Sequence, residues 1–323
     1  MGLTSTDATL IYNPVAGFWD WRTAIDRFAR FWTARGWTVH IQSTRSTGHA
    51  TELARAAAEA GHGLVFAAGG DGTLNEVANG LIHSETALAP LPVGTANSFA
   101  RELGLARPNL LQSNWLVEVS HALARGRIQV MDVGVCEDGR HWLLWASAGI
   151  DSFAVRQIEP RPLWFKRLGP AGYAARFLMV LPQFQGVEAI ITVDDRRFEG
   201  DFVLVNVSNC RLFAGGELRL NATAVLDDGL FEVWLFQGRD WPTVMRYMVD
   251  ISRELHRNHP NVIWTQGRTI SVTTIPPLDY HLDGEPVGLT PFATSIVPRA
   301  LRLLAPDSAP AGLFSGPGAP LPN

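Results

Sequence analysis

The first third of the chain switches between two apolar rhythms. Thr9 to Tyr12 is a short apolar run ending in Asn13-Pro14-Val15-Ala16-Gly17, after which Trp21, Ala24, Ile25, Phe28 and Trp32 recur at helical spacing and Gly36 is placed to stop the helix. Trp37, Val39 and Ile41 alternate as in a strand, and Thr51 to Ala60 is an alanine-rich helical stretch. Gly63 to Ala68 is a continuous apolar run, the pattern of a buried strand, and leads straight into Gly69-Gly70-Asp71-Gly72-Thr73. A further helix is predicted to Leu81, a fourth strand over Ala87 to Pro92, and a next helix opened by Gly94-Thr95-Ala96-Asn97. Strands alternating with helices predict an α/β domain built on a parallel sheet.

Beyond about Ile128 the rhythm shortens. Phe202 to Val207, Phe231 to Phe236 and Thr269 to Thr273 read as antiparallel strands, with helices expected over Leu163 to Leu181 and Trp241 to His256. This predicts a second, β-rich domain, giving 1–127, 128–304 and a last segment, 305–323. That segment is dense in Pro, Gly, Ser and Ala and is expected to be a disordered tail.

Composition narrows the chemistry. With 323 residues and 46% hydrophobic content the chain can bury two ordinary cores, and a formal charge of −4 gives no reason to expect nucleic acid as a partner. Cys136 and Cys210 alone fit two buried thiols in a reducing cytoplasm, and no apolar stretch of about 18 residues lacks charge, so an unsecreted, soluble protein is expected. Lys166 is the only lysine among 27 basic residues, and no Gly-Lys-Ser/Thr loop surrounds it. A Walker-type nucleotide site and a protein-kinase strand lysine are therefore excluded. A nucleotide bound here must be held by backbone amides, arginine and a metal.

Gly69 to Thr73 lies where a strand meets a helix, which suits phosphates: glycines allow close approach, the helix N-terminus favours anions, and Asp71 could hold Mg²⁺. An ordinary strand-to-helix turn accounts for the same five residues. Context adds weight, because Asn13 to Gly17, Gly69 to Thr73 and Gly94-Thr95 each follow a predicted strand, and parallel pairing brings all three to the sheet edge where ligands bind in open α/β folds.

The ordered set of motifs resembles the diacylglycerol kinase catalytic-domain family, which includes bacterial lipid kinases and the sphingosine and ceramide kinases. The resemblance extends to about residue 303. It is carried by Asn13-Pro14 with Gly17, Thr44 ahead of Gly48-His49-Ala50, the run from Gly69 to Leu81, and Pro92 to Leu105. Further along come Asp132-Val133-Gly134, Leu226-Asp227-Asp228-Gly229-Leu230 and Asp283-Gly284-Glu285. Gly-Gly-Asp-Gly-Thr by itself is shared with NAD kinases and phosphofructokinases. The resemblance implies an NAD kinase/phosphofructokinase-like α/β N-terminal domain with a parallel sheet, a β-rich antiparallel C-terminal domain, and ATP-dependent phosphorylation of a lipid hydroxyl.

It further implies that Asn13, Pro14, Val15, Ala16, Gly17, Thr44, Gly69, Gly70, Asp71, Gly72, Thr73, Leu74, Asn75 and Thr95 surround ATP. Asp71 is expected in a Mg²⁺ network with Asp132, and Asp228 with the carbonyls of Val225 and Leu230 in a structural metal site, although Asp227-Asp228-Gly229 also suits a tight turn. Glu285 matches the general base, beside the alternative of a solvated hairpin acid. Ser98 stands where many diacylglycerol kinases carry aspartate, which bears on diacylglycerol as the substrate more than on kinase activity. Two other functions remain open: a kinase of a soluble acceptor such as NAD, and a nucleotide-binding regulator without turnover. Arg161 to Gln185 mixes aromatic and basic residues and suits either an anionic membrane surface or a helix packed on the second domain. The expected partners are thus a lipid substrate and, transiently, a membrane met from the cytoplasm. A homodimer is among the assemblies left open.

Overall fold

A computed structural model describes residues 2–17, 19–105, 115–158 and 169–322, side chains excepted at 158 and 169–174. The chain forms two compact units, and neither is one continuous segment. Unit 1 takes the chain up to Asp132, then Val225–Asp228, then the chain from Pro298 onward; unit 2 takes Val133–Ala224 and Gly229–Val297.

In unit 1, β1 (Asp7–Tyr12), α1 (Arg22–Thr33), β2 (Thr38–Ser43), α2 (His49–Glu59), β3 (Leu64–Gly69), α3 (Asp71–Leu81) and β4 (Ala87–Pro92) follow in the expected order. The strands pair in parallel as β2-β1-β3-β4. Every residue of β3 and β4 is buried, as continuous apolar runs require of strands covered on both faces. On one face Ile25, Phe28 and Trp32 of α1 join Trp115, Leu116, Val119 and Leu123 of a later helix, Trp115–Ala124, against Leu10, Phe66 and Leu91. Phe28 meets Phe66 edge-on at 4.9 Å. On the other face α2 lies close to α3 because both are narrow: a Cβ on Gly80 would sit 2.7 Å from that of Ala54 and 2.5 Å from the Thr51 carbonyl. That approach explains the alanine run of α2. β2 forms where Trp37, Val39 and Ile41 alternate. It is an edge strand, and Ile41 is 46% exposed. Pro90 and Pro92 are tolerated inside β4 because the strand on its other side, through Arg302 and Leu303, pairs only with Ala87 and Leu88, so the edge away from β3 has no ladder at the two prolines.

The helices after β4 are α4 (Ser98–Glu102) and α5, the helix Trp115–Ala124 already met; β5 (Arg127–Cys136) follows. Residues 305–322 correct the expectation of a disordered tail. Leu313 is fully buried, and its carbonyl accepts the Leu226 amide at 2.9 Å. Ser315 donates its amide and hydroxyl to the two carboxylate oxygens of Asp227 at 2.7 and 2.6 Å. Asp307 takes Arg125 at 2.5 Å, and Ala319 and Pro320 pair with Ile128 and Arg127. Pro and Gly here shape turns rather than disorder. The segment straps Val225–Asp228 onto unit 1, which is why the unit is discontinuous.

Unit 2 contains β6 (His141–Trp142), β7 (Trp145–Gly149), α6 (Ile150–Ile158), α7 (Gly169–Val180), β8 (Val187–Val193), β9 (Arg196–Ser208), the short hairpin β10 (Leu212–Phe213) and β11 (Leu218–Arg219), β12 (Phe231–Gln237), α8 (Trp241–Ser252), β13 (Val262–Gly267), β14 (Thr269–Ile275), β15 (Asp279–Leu282), β16 (Glu285–Leu289) and the first part of β17 (Phe292–Ala305), whose residues from Pro298 belong to unit 1. Its pairings are antiparallel: β16 with β15, β15 with β7, β7 and β12 with β9, β9 with β8, β8 with β14, and β14 with the start of β17. The predicted strands fall inside β9, β12 and β14. One apolar layer gathers Trp142, Phe202, Phe231 and Phe292. A second packs Trp234, Phe236 and Leu204 against Val244, Tyr247 and Ile251 of α8. Asp240 caps α8 by accepting the Thr243 amide at 3.0 Å, and the helix stops short of the predicted His256 where Glu254 turns to a left-handed φ of 56°. The predicted Leu163 to Leu181 helix is present as α7 over Gly169–Val180, while 163–168 lie outside the described residues.

Truncation after Ala305 is expected to lower the melting temperature by several degrees, and Leu313→Ala alone to cost about 2–5 kcal/mol, the usual range for a fully buried leucine. Chemical denaturation of both proteins checks this; a silent truncation would detach the segment from unit 1.

Candidate active site

Four loops meet at the carboxyl ends of the parallel strands in unit 1, and hydrogen bonds between backbones hold them in register. Asn13 donates its amide to the Ala68 carbonyl at 2.9 Å, Thr44 donates to Tyr12 at 2.9 Å, and Gly94 donates to Gly69 at 3.1 Å. Side chains add two ties. Asn13 Nδ2 donates to Thr73 Oγ1 at 2.9 Å, while its Oδ1 accepts the Val15 amide at 3.1 Å. Asn97, buried in a left-handed conformation, accepts the Gly94 amide at 2.9 Å and returns a bond to its carbonyl at 2.9 Å. The glycines are required by this convergence. A Cβ on Gly94 would lie 2.3 Å from the Gly70 Cα, one on Gly69 2.4 Å from the Thr73 Cβ, and one on Gly17, whose φ is +71°, 2.4 Å from the Val93 carbonyl oxygen.

α3 begins at Asp71, so the first amides of an 11-residue helix open at this edge. The Asp71 side chain is tied to the neighbouring loop. Its carboxylate accepts the Phe99 amide at 3.1 Å, with the polar groups of Ser98 beside it. Burial pushes its carboxyl above the ordinary carboxylate value, against the lowering effect of the Ser98 and Phe99 donors. Ser98 therefore brings no charge beside the neighbouring acid, a placement no spacing in the sequence displays. Leu74 is buried, with its amide bonded to the Gly70 carbonyl at 3.0 Å, and Asn75 accepts from Asn79 at 2.8 Å. Both support α3. Thr95 and Val15 are exposed on the rim.

A cleft of about 790 Å³ opens beside the first loop, lined by Tyr12, Pro14 to Gly17, Trp19, Asp20, Arg22, Ile25, Asp26, Ile41 and Ser43. Four of the expected nucleotide residues, Pro14 to Gly17, line it, whereas Gly69 to Thr73 lie apart from its lining. The sequence reading missed Trp19, Asp20 and Arg22, although they follow closely on Gly17. Arg22 pairs with Asp20 at 2.7 Å and holds its carboxyl down to about 2.

Asp132 is fully buried in unit 1 and accepts the Arg299 amide at 2.6 Å, joining β5 to β17. Its amide donates to Leu226 at 2.8 Å. The expected structural metal set divides, with Val225 and Asp228 in unit 1 and Leu230 in unit 2. Among the described residues no three His, Cys, Asp or Glu side chains gather as a metal-binding group.

In unit 2, Glu285 stands exposed at the start of β16. Leu282 pairs with Glu285, so Asp283-Gly284 is a two-residue hairpin turn with φ of 52° and 86°, the type I′ geometry that Asp-Gly favours. Asp283 turns inward, accepting the amides of Leu143 and Leu144 at 2.8 Å each and Trp145 at 3.1 Å.

The chain matches two family descriptions in succession: diacylglycerol kinase catalytic domain over residues 7–136, and YegS C-terminal NAD kinase beta sandwich-like domain over 145–305. A diacylglycerol kinase of Bacillus subtilis strain 168 is 28% identical over 301 residues, covering 93% of this chain and 96% of that protein. One from Staphylococcus epidermidis strain RP62A is 29% identical over 288 residues, 88% and 87% of the two chains. The solved structure of a diacylglycerol kinase from Bacillus anthracis strain Sterne shares the fold, with a TM-score of 0.66 at 20% identity over 95% of this chain and 99% of that one. Two consecutive family matches, one over the loops of unit 1 and one over the sandwich that bears Glu285, make this chain a member of the diacylglycerol kinase catalytic-domain family.

Proposed function

We propose that this lipid kinase transfers the γ-phosphoryl group of ATP to the hydroxyl of a diacylglycerol-type acceptor, with the Asn13 to Gly17, Gly69 to Thr73 and Gly94 loops as nucleotide residues and Glu285 as the general base. The observation that carries the reading is the convergence of the Asn13, Thr44, Gly69 and Gly94 loops at one sheet edge, with side chains absent where backbones must meet. Phosphoryl transfer asks mainly for positioning and charge stabilisation. The α3 N-terminus supplies oriented amides where a lysine loop is missing, and the cleft beside Asn13 to Gly17 has the apolar wall, through Val15, Trp19 and Ile41, that a nucleobase needs.

Mg²⁺ belongs to the same proposal. A single carboxylate, Asp71, suits an ion that takes one or two protein acids and fills its shell with phosphates and waters, and bound there it would neutralise charge on the phosphates. Asp132, fully buried and bonded to the Arg299 amide, serves the fold. Glu285 would accept the hydroxyl proton. Leu178 and Met179 of α7, 53% and 67% exposed, offer an apolar contact to the membrane surface that holds the substrate.

Incubation with labelled ATP, Mg²⁺ and vesicles containing diacylglycerol is expected to label the lipid, and the same mixture with NAD in place of vesicles to label nothing. Labelled NAD, or ATP binding without labelled lipid, would overturn the assignment. Glu285→Gln keeps size and removes proton acceptance; turnover should fall about 10²- to 10⁴-fold, with ATP affinity and melting temperature unchanged. Retention of more than about a tenth of turnover rejects the base.

Asp71→Asn separates charge from fold. Since the folded carboxyl titrates above the ordinary value of 3.8, the protonated form stabilises the fold at low pH, and that contribution is lost as pH rises from 3.8 through the raised value. Asparagine is neutral throughout. The variant should melt at pH 7 no lower than the parent and show a flatter pH profile of melting temperature, while turnover collapses; a lowered melting point with normal turnover would make Asp71 a purely structural cap.

A further inference from the structure

Resting on the reading of Glu285 as the base, we infer that His281 is the positioning residue for Glu285, acting through the Gly284 amide, with Asp151 fixing the imidazole tautomer. The hairpin tip is pinned on two sides. Asp283 binds three amides of the segment Leu143 to Trp145. On the other side Gly284 donates its amide to His281 Nδ1 at 3.2 Å, one peptide before Glu285. A ring that accepts at Nδ1 carries its proton on Nε2 when neutral, and Nε2 lies 3.1 Å from Asp151 Oδ2. His281 is 2% exposed, so this geometry is enclosed.

Asp151 is itself held. Its Oδ1 accepts the Ser152 amide at 2.7 Å, and the Ser152 hydroxyl donates at 2.7 Å to the carbonyl of Ser147, the residue opposite His281 on β7. The polar circuit thus closes from β7 through α6 to β15 and out to the turn. The ladder itself is weak here. Pairing between β15 and β16 shifts register between Tyr280 and His281, and the residue opposite His281 is Pro286, which has no amide to donate. A side chain therefore supplies, beside Glu285, a bond that the backbone of β16 lacks. Misplacement of a reacting group by about 1 Å can cost on the order of 10²-fold in rate.

Two substitutions split the ring into its halves. His281→Asn places an acceptor near the position of Nδ1 and loses the reach to Asp151; His281→Gln reaches Asp151 and loses the acceptor for Gly284. The His281→Gln variant is expected to lower kcat about 10- to 100-fold with the KM for ATP unchanged, and the His281→Asn variant to recover most of that loss. Adding His281→Gln to Glu285→Gln should lower the residual rate no further, since a positioning residue has nothing left to position. Full kcat in the His281→Gln variant, or the same fractional loss whether or not Glu285→Gln is also present, overturns the inference. If His281→Gln fails to fold, His281→Asn decides: near-normal kcat supports the role, and a loss as large as that of Glu285→Gln rejects it. Should Glu285→Gln turn over normally, the base assignment fails instead, a result read before His281 is touched.

Discussion

The approach of backbone to backbone at one sheet edge constrains everything else in unit 1. Gly70 and Gly94 stand so close that a single Cβ on Gly94 would overlap the Gly70 Cα at 2.3 Å, and Gly17 meets the Val93 carbonyl in the same way. Loops after three neighbouring strands converge only because these positions carry no side chain. The convergence leaves the first amides of α3 facing outward and brings Ser98 and Phe99 over Asp71. A glycine-rich loop is therefore not simply flexible here. Asn13 to Thr73 and Asn97 to Gly94 turn it into a fixed surface, the preorganisation that makes backbone dipoles useful for holding charge.

The strands and helices of unit 1 were legible because parallel sheets impose long apolar runs and helices a regular stripe; β4 falls on its predicted bounds, Ala87–Pro92. Features set by distant partners were not legible. Ile41 alternates as a buried residue would, yet β2 lies at an edge, and no local pattern says where a strand sits in the order. The last segment reads as disordered because disorder and tight turns share a composition. What orders it is one buried leucine, Leu313, and the bonds of Ser315 to Asp227, 88 residues away. The same bonds make the unit boundaries discontinuous, a division that composition along the chain does not reveal.

Within the site, spacing found the glycines and the position of Asp71, and resemblance supplied Glu285. Partners were out of reach: Ser98 matters through the buried carboxylate it meets, and His281 through Asp151, 130 residues earlier. In the sequence Ser98 reads only as a missing acid. In the folded chain it stands beside Asp71, so the departure from the family pattern leaves the charge of the loop to Asp71.

Asp283 and Glu285 illustrate how neighbouring carboxylates acquire different duties. A two-residue turn with left-handed φ at both positions points Asp283 back across the hairpin, where three amides consume it, and leaves Glu285 exposed at the first residue of the returning strand. Extended strands alternate sides, so two acids separated by one glycine could have shared a face; the turn between them prevents that. Burying one acid in amides is what holds the other in place, because the hairpin has lost a ladder donor at Pro286 and needs an anchor near its tip.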